Sequence, residues 1–354
     1  VINGIPIKPT SSLKTILKEN QGEGISIVVA VSIKEEEIKT QLKNEGLEET
    51  NIDILYYKDY NNVYYTVDVV SSCNLACLSC AHSLEGEKPG GMMSIENIEK
   101  VLAKITRESP NCSHVSLYSW GEPLIHPQID EIIELFHQAG IAVGISTNLS
   151  HYDFKKVEKV MKSKPDYMKI SLSGYYPKAY NKTHQGGNIN LVKSNLYKLA
   201  YLIEKRNLST LVDVNYHLYK DNSSANLEKM KDLVNELGFV MSTVHALVMP
   251  LERVIEHKKG NPDKQTKLLE DNLLVTIDEG IEAAETIDLK GKCPFKQNQM
   301  NINSDLTVPV CCLVFNRDHI VANNYLNTEL TEINNQKELA KICETCMKLN
   351  LPQY

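Results

Sequence analysis

No apolar run in this 354-residue chain approaches the ~18 residues that a membrane-crossing helix requires. The longest, "ISIVVAVSI" at 25–33, has the length of a buried strand, so no membrane partner is expected. Basic residues are also in deficit: 38 Lys and Arg stand against 45 Asp and Glu, a net charge of −7. That balance disfavours a general nucleic-acid-binding surface. Low-complexity tracts are absent, and 42% hydrophobic with 23% charged residues is a globular composition. The length allows a large core and two or three domains. The chain opens on "VINGIPIKPT", with neither a methionine nor a basic-then-apolar leader, so further residues are expected before Val1.

Cysteine is plentiful by comparison. There are nine, grouped at 73, 77 and 80 and at 293, 311, 312, 343 and 346, with Cys112 apart. An odd number in tight clusters favours metal or iron–sulfur ligation in a reducing cytoplasm over a disulfide scaffold.

Residues 1–62 read as strand, charged helix ("KEEEIKTQLKNEG") and strand ("NIDILYY"), a βαβ unit too small to be a whole doubly wound domain. From 63 to 290 six strand candidates recur at 63–70, 114–120, 141–146, 167–173, 211–219 and 240–248. Helix-periodic segments at 94–107, 128–139, 153–163, 189–206, 224–237 and about 265–287 separate them, the first opened by Ser94. This alternation predicts an α/β fold with a parallel sheet, open or curled into a partial barrel. Ligands in such folds gather at the carboxyl ends of the strands. Residues 291–354 are too few for a sizeable core of their own, and a metal centre is expected to hold them together.

"SSCNLACLSC" (71–80) follows the first of the six strands with three cysteines and no fourth nearby. Three thiolates can hold three irons of a [4Fe–4S] cluster and leave the fourth open. A structural zinc on the same cysteines plus His82 is the bland alternative. The spacing C-x3-C-x2-C at this place resembles the radical S-adenosylmethionine superfamily. "SWGEP" (119–123) looks like that family's glycine-glycine-glutamate-proline element, with Trp120 where the first glycine is usual. "ISTNLS" (145–150) and "KISLSG" (169–174) are similar to its third and fourth strand ends.

The resemblance implies a partial (β/α)6 barrel at 63–290 whose Cys73, Cys77 and Cys80 hold a cluster chelated by S-adenosylmethionine. It implies cofactor contacts from Trp120, Gly121, Glu122, Ser146, Asn148, Ser171 and Ser173. Ser79 departs from the family, where an aromatic residue commonly precedes the third cysteine. Beyond 290, Cys293, Cys311, Cys343 and Cys346 resemble the twitch domain, the short relative of the SPASM extension, and imply one auxiliary [4Fe–4S] cluster. Here Leu306 stands for a usual hairpin glycine, and a zinc ribbon is the alternative. Cys112 and Cys312 are expected to pack. The first sixty residues look like the second half of a small Rossmann-like domain joined to surface-glycan enzymes, without its phosphate loop.

Residues expected to face a substrate are His184, then Tyr216, His217 and Tyr219, then His245, Glu252 and Arg253, all at or after strand ends. His184, Tyr216 and His217 are the catalytic candidates, although strand alternation separates Tyr216 from His217. The expected activity is cytoplasmic radical chemistry that takes a hydrogen atom from a polar substrate, such as a sugar or nucleotide-sugar, and oxidises or epimerises that carbon. An external one-electron donor such as flavodoxin or ferredoxin is implied. Modification of a ribosomally made peptide is the alternative enzyme reading, and a non-catalytic zinc or cluster module the alternative of another class.

Overall fold

The structure is a computed structural model, and it describes residues 12–20, 26–29, 35–47, 53–56, 62–84, 91–286 and 293–353. Most of the N-terminal "VINGIPIKPTSSL" and positions 25 and 30–33 of the long apolar run lie outside these residues. Contacts divide the chain into two compact units, Val1–Asn61 and Asn62–Tyr354.

The first unit contains α1 (Leu13–Glu19), β1 (Ser26–Val29), α2 (Glu35–Asn44) and β2 (Asp53–Tyr56). β1 and β2 pair in parallel, Ser26 opposite Asp53 and Val29 opposite Tyr56. Parallel neighbours need a crossover, and α2 lies between them in sequence. Val29, Leu42 and Leu47 bury together as its small core.

The second unit begins with β3 (Tyr64–Val67), α3 (Ile95–Glu108), β4 (His114–Ser116), α4 (Ile129–Gln138), β5 (Ala142–Thr147) and α5 (Phe154–Lys162). It continues with β6 (Tyr167–Leu172), α6 (Pro177–Thr183), α7 (Ile189–Arg206), β7 (Leu211–Leu218), α8 (Ala225–Glu236) and β8 (Val240–His245). The helix start expected at Ser94 is present, its hydroxyl accepting the Asn97 N–H at 3.2 Å. Then come α9 (Leu251–Lys258), α10 (Lys264–Glu270), α11 (Ile277–Glu285), α12 (Pro294–Gln297), β9 (Gln299–Ile302), β10 (Val308–Pro309), β11 (Ile320–Ala322), α13 (Leu330–Glu338) and α14 (Lys341–Lys348).

Seven strands form one parallel sheet in the order β8-β7-β6-β5-β4-β3-β9. Six were expected. The seventh, β9, comes from the cysteine-rich region and lies beside β3, with Tyr64 opposite Gln299. All four of its residues are buried, so "QMNI" carries no inside–outside alternation to read. The helix expected over 265–287 is two helices. Thr276 opens the second: its hydroxyl accepts the Glu279 N–H at 3.3 Å while the Glu279 carboxylate accepts the Thr276 N–H at 2.8 Å.

Pleating sorts each strand. On β6, Met168, Ile170 and Leu172 are fully buried and share a core with Val192, Leu196 and Leu199 of α7. Burial of each such aliphatic side chain contributes roughly 2 kcal/mol. Tyr167, Lys169 and Ser171 alternate with them, half-buried on the opposite face, toward the barrel interior.

Candidate active site

The loop after β3 carries Cys73, Cys77 and Cys80, all partly buried and none in a disulfide. Neighbouring loops fix its backbone. The Ala76 N–H donates to the Gln185 carbonyl (3.0 Å), the Leu78 N–H to that of Thr183 (3.0 Å), and the Met249 N–H to that of Ser79 (3.2 Å). Arg253 Nη1 reaches the Leu78 carbonyl at 3.4 Å. Segments after β6 and β8 thus cradle the cysteine loop. Burial pushes the Cys73 thiol up to about 12, with the charges of Glu122 and Cys80 adding to the effect. The Cys77 thiol is raised by burial and by its neighbours Cys80 and Cys73, so the three thiols lie within electrostatic reach of one another.

The turn after β4 is pressed against this loop. The Glu122 N–H donates to the Ser72 carbonyl at 3.0 Å, one residue before Cys73. A Cβ at Gly121 would stand 1.6 Å from the Val70 carbonyl oxygen, so only glycine fits. Beneath the turn, Asp68 Oδ1 accepts the N–H groups of Ser119 (3.2 Å) and Gly121 (3.4 Å). Burial raises the Asp68 carboxyl to about 7, against the pull of those N–H groups. Glu122 is 2% exposed; its carboxylate accepts the N–H of Leu124 (3.2 Å) and of Asn148 (2.9 Å), and His151 Nε2 lies 3.4 Å away. Trp120 turns its ring edge-to-face with Phe315, centroids 5.3 Å apart.

Asn148 closes the ring of contacts at the end of β5. Its Nδ2 donates to Asn74 Oδ1 (2.9 Å) and lies 3.9 Å from the Cys73 sulfur. Asn74 in turn donates to the Ser150 carbonyl at 3.0 Å. The cysteine loop, the turn holding Glu122 and the β5 end are one hydrogen-bonded assembly. Ser146 and Ser171 face each other across β5 and β6, hydroxyls 3.5 Å apart.

Other expected residues sit differently. Ser173 is fully buried, its hydroxyl bonded to Thr183 and to His184 Nδ1, which turns it into a support for the histidine. His184 stacks on Tyr180 (4.9 Å) and faces His217 at 6.3 Å. Burial holds His184 down to about 3 and His217 to about 4, so both imidazoles are neutral near pH 7. Tyr216 is fully buried and donates to the Asn222 carbonyl at 3.0 Å; the pleat puts it on the face opposite His217, away from the lumen. Tyr219 is buried beneath the cysteine loop, its hydroxyl beside Ser79. His245 is exposed on the edge strand β8. Glu252 accepts the N–H groups of Phe315 (2.9 Å) and Asn316 (2.8 Å), and Arg253 is buried behind the cysteine loop, so both act as braces.

Sequence reasoning missed Asp68, Asn74, His151 and Tyr180. Tyr180 is fully buried, and its hydroxyl is driven upward by burial and then by the charges of Cys77, Glu122 and Cys73. The paired glycines after it were a usable signal, because a Cβ at Gly187 would sit 2.8 Å from the Tyr180 ring.

In the C-terminal part, Cys293, Cys311, Cys343 and Cys346 line one cavity together with Leu251, Phe295, Val310 and Leu313. Burial raises all four thiols, and Cys293 and Cys343 raise Cys346 further. Cys312 instead lies beside the Gln299 side chain, and Cys112 lies 3.6 Å from the His114 carbonyl before β4, at the amino ends of the strands. Leu306 has φ +68°, the left-handed region where glycine is usual, and packs its side chain in the core. That burial offsets a backbone cost of about 1–2 kcal/mol. Among the described residues, no three His, Cys, Asp or Glu side chains converge enough to hold one metal ion. A zinc ion needs its sulfurs within roughly 4 Å of each other, whereas a four-iron cluster takes each thiolate on a different iron and asks for less convergence. The donor chemistry suits such a cluster: three cysteines share one loop and four line one cavity.

Residues 67–241 match the model of the Radical SAM superfamily, and the chain belongs to that superfamily. Its members use a [4Fe–4S] cluster and S-adenosylmethionine. A probable GTP 3',8-cyclase of Methanococcus maripaludis is 26% identical over 194 residues, 54% of this chain and 61% of the relative. An AdoMet-dependent heme synthase of Methanosarcina barkeri is 22% identical over 212 residues, 57% of this chain and 55% of the relative. The matched stretch is therefore less than two thirds of these relatives' length.

Among solved structures, Streptococcus suis SuiB bound to its precursor peptide SuiA has a TM-score of 0.57 at 14% identity, covering 91% of this chain and 76% of that one. The enzyme anSMEcpe with bound AdoMet has a TM-score of 0.53 at 17% identity, covering 82% and 88%. These likenesses establish the partial-barrel fold. No helix among the described residues is long and apolar enough to cross a membrane.

Proposed function

We propose that this chain takes a hydrogen atom from a polar substrate held in the barrel lumen and oxidises or epimerises the attacked carbon. The observation that carries this is the hydrogen-bonded assembly of Ser72, Asn74, Glu122 and Asn148 around Cys73. Cys73, Cys77 and Cys80 would hold the cluster. When bound, the cluster and S-adenosylmethionine supply a 5′-deoxyadenosyl radical by one-electron cleavage of a carbon–sulfur bond. Glu122, in a site also reached by Tyr180, would orient the cofactor's ammonium, with Gly121 and the flanking backbone, and Ser146 and Ser171 would meet its sugar or carboxylate.

The lumen supports a polar substrate. Asn215 donates to Ser242 at 2.8 Å and bonds His217 at 2.9 Å, while Asp213 accepts from Tyr167 at 2.7 Å and from Ser242. Both carboxylate oxygens of Asp213 are therefore engaged. Lys169, by contrast, has its ammonium over the Tyr118 ring, 4.9 Å from the centroid, and no carboxylate within ion-pair distance among the described residues. This favours a substrate bearing an acidic group, such as a nucleotide-sugar. Neutral His184 and His217 are suited to hydrogen bonding and would not supply charge there.

Cys293, Cys311, Cys343 and Cys346 would carry an auxiliary [4Fe–4S] cluster that serves electron transfer, and an external one-electron donor such as flavodoxin or ferredoxin would feed the radical site. The test is incubation of the reduced, reconstituted protein with S-adenosylmethionine and either nucleotide-sugars or peptides. Substrate-dependent 5′-deoxyadenosine carrying deuterium from a labelled nucleotide-sugar is the expected result. Label transfer from a peptide alone would replace the sugar reading.

A further inference from the structure

Lys337, in α13, has 1% of its surface exposed, and its ammonium donates to the Gln299 carbonyl in β9 at 2.7 Å. The adjacent acid, Glu338, is paired with Lys296 at 2.5 Å. Among the described residues no carboxylate stands within ion-pair distance of Lys337. A cation buried beside one neutral carbonyl carries a desolvation cost of several kcal/mol unless a counter-charge is near. The groups under its influence are cysteines, Cys293, Cys311, Cys312 and Cys343; Lys296, which lines the cysteine cavity, acts on Cys293 and Cys343 as well, but Glu338 offsets its charge. Sulfurs that ligate metal do so as thiolates, and their negative charge is what this buried ammonium lacks.

The position of the ammonium is fixed by the sheet. β9 pairs with β3, and Gln299 Nε2 donates to Thr66 Oγ1 of β3 at 2.6 Å. The net charge around an iron–sulfur cluster sets its reduction potential, because reduction adds one more negative charge. We propose that Lys337 is the built-in counter-charge of the auxiliary cluster on Cys293, Cys311, Cys343 and Cys346, and that it raises that cluster's reduction potential. This rests on the auxiliary-cluster reading above.

The full chain, reconstituted without oxygen, is titrated with dithionite while its EPR spectrum is recorded, with S-adenosylmethionine added to shift the radical-site signal. Lys337→Met should lower the auxiliary potential, and Lys337→Arg should hold it near the wild-type value; the radical-site potential should not move in either. Should Lys337→Met lose the auxiliary iron, Lys337→Gln, which still donates to Gln299, makes the same comparison. Loss in both neutral variants with retention in Lys337→Arg also supports the counter-charge. About eight irons per chain and an unmoved potential in a neutral variant would overturn the role of Lys337 alone. Loss of the cluster in Lys337→Arg as well would do the same. About four irons in the wild type would remove the auxiliary cluster and this inference with it.

Discussion

The backbone N–H of Asn148 donates to the Glu122 carboxylate over 2.9 Å, joining the end of β5 to the turn after β4. Glu122 also accepts from Leu124, so its two oxygens fix the site while facing the cysteine loop. Glu122→Gln would turn an amide N–H₂ toward one of two N–H donors. The expected loss is about 1.5–3 kcal/mol, read by denaturant unfolding. Iron content should stay at the wild-type level while S-adenosylmethionine binding weakens.

Gly121 offers a steric test. Alanine there would place its Cβ against the Val70 carbonyl, so the turn must move away from Ser72. Overpacking of this kind costs about 1–3 kcal/mol. Gly121→Ala should assemble its clusters normally and bind S-adenosylmethionine about tenfold more weakly, as measured by cofactor titration of the EPR signal.

Asp68 makes stability depend on pH. Burial raises its carboxyl to about 7 in the fold, against about 4 in the unfolded chain. Between those values the folded state binds the extra proton, so this group's contribution is present below about pH 4 and is lost as pH rises through about 7. Asp68→Asn removes the titration. The variant should gain stability relative to wild type from pH 5 to pH 7, by up to about 1.4 kcal/mol per pH unit, in parallel thermal or denaturant melts.

Lys169 tests the substrate class. Lys169→Met should raise KM for an acidic substrate about tenfold or more, since a charge-assisted contact is lost. Cofactor cleavage in the absence of substrate should be unchanged. Steady-state kinetics at several salt concentrations check this, and the wild-type salt dependence should flatten in the variant.

Much of the barrel was legible because its strands are apolar runs closed by polar turns at regular intervals, and the cysteine spacing stood at a strand end where ligands gather. "SWGEP" and "STN" could be placed because their neighbours in sequence are strands that pair in order. β9 was not legible: a four-residue, wholly buried strand has no alternation, and its partner β3 lies far away in sequence. Residues such as Asp68, Asn74 and Arg253 serve the site through backbone N–H and carbonyl groups of distant loops, and no spacing rule records such contacts. Tyr216 shows the reverse case, since adjacency to His217 in sequence means the opposite face of a strand.

The most direct test is the EPR spectrum of the reduced, oxygen-free protein with and without S-adenosylmethionine. The cofactor should change the signal of the cluster on Cys73, Cys77 and Cys80, and 5′-deoxyadenosine should form; Cys73→Ala, Cys77→Ala or Cys80→Ala should abolish both. A spectrum indifferent to the cofactor, or zinc in place of iron at these cysteines, would contradict the account.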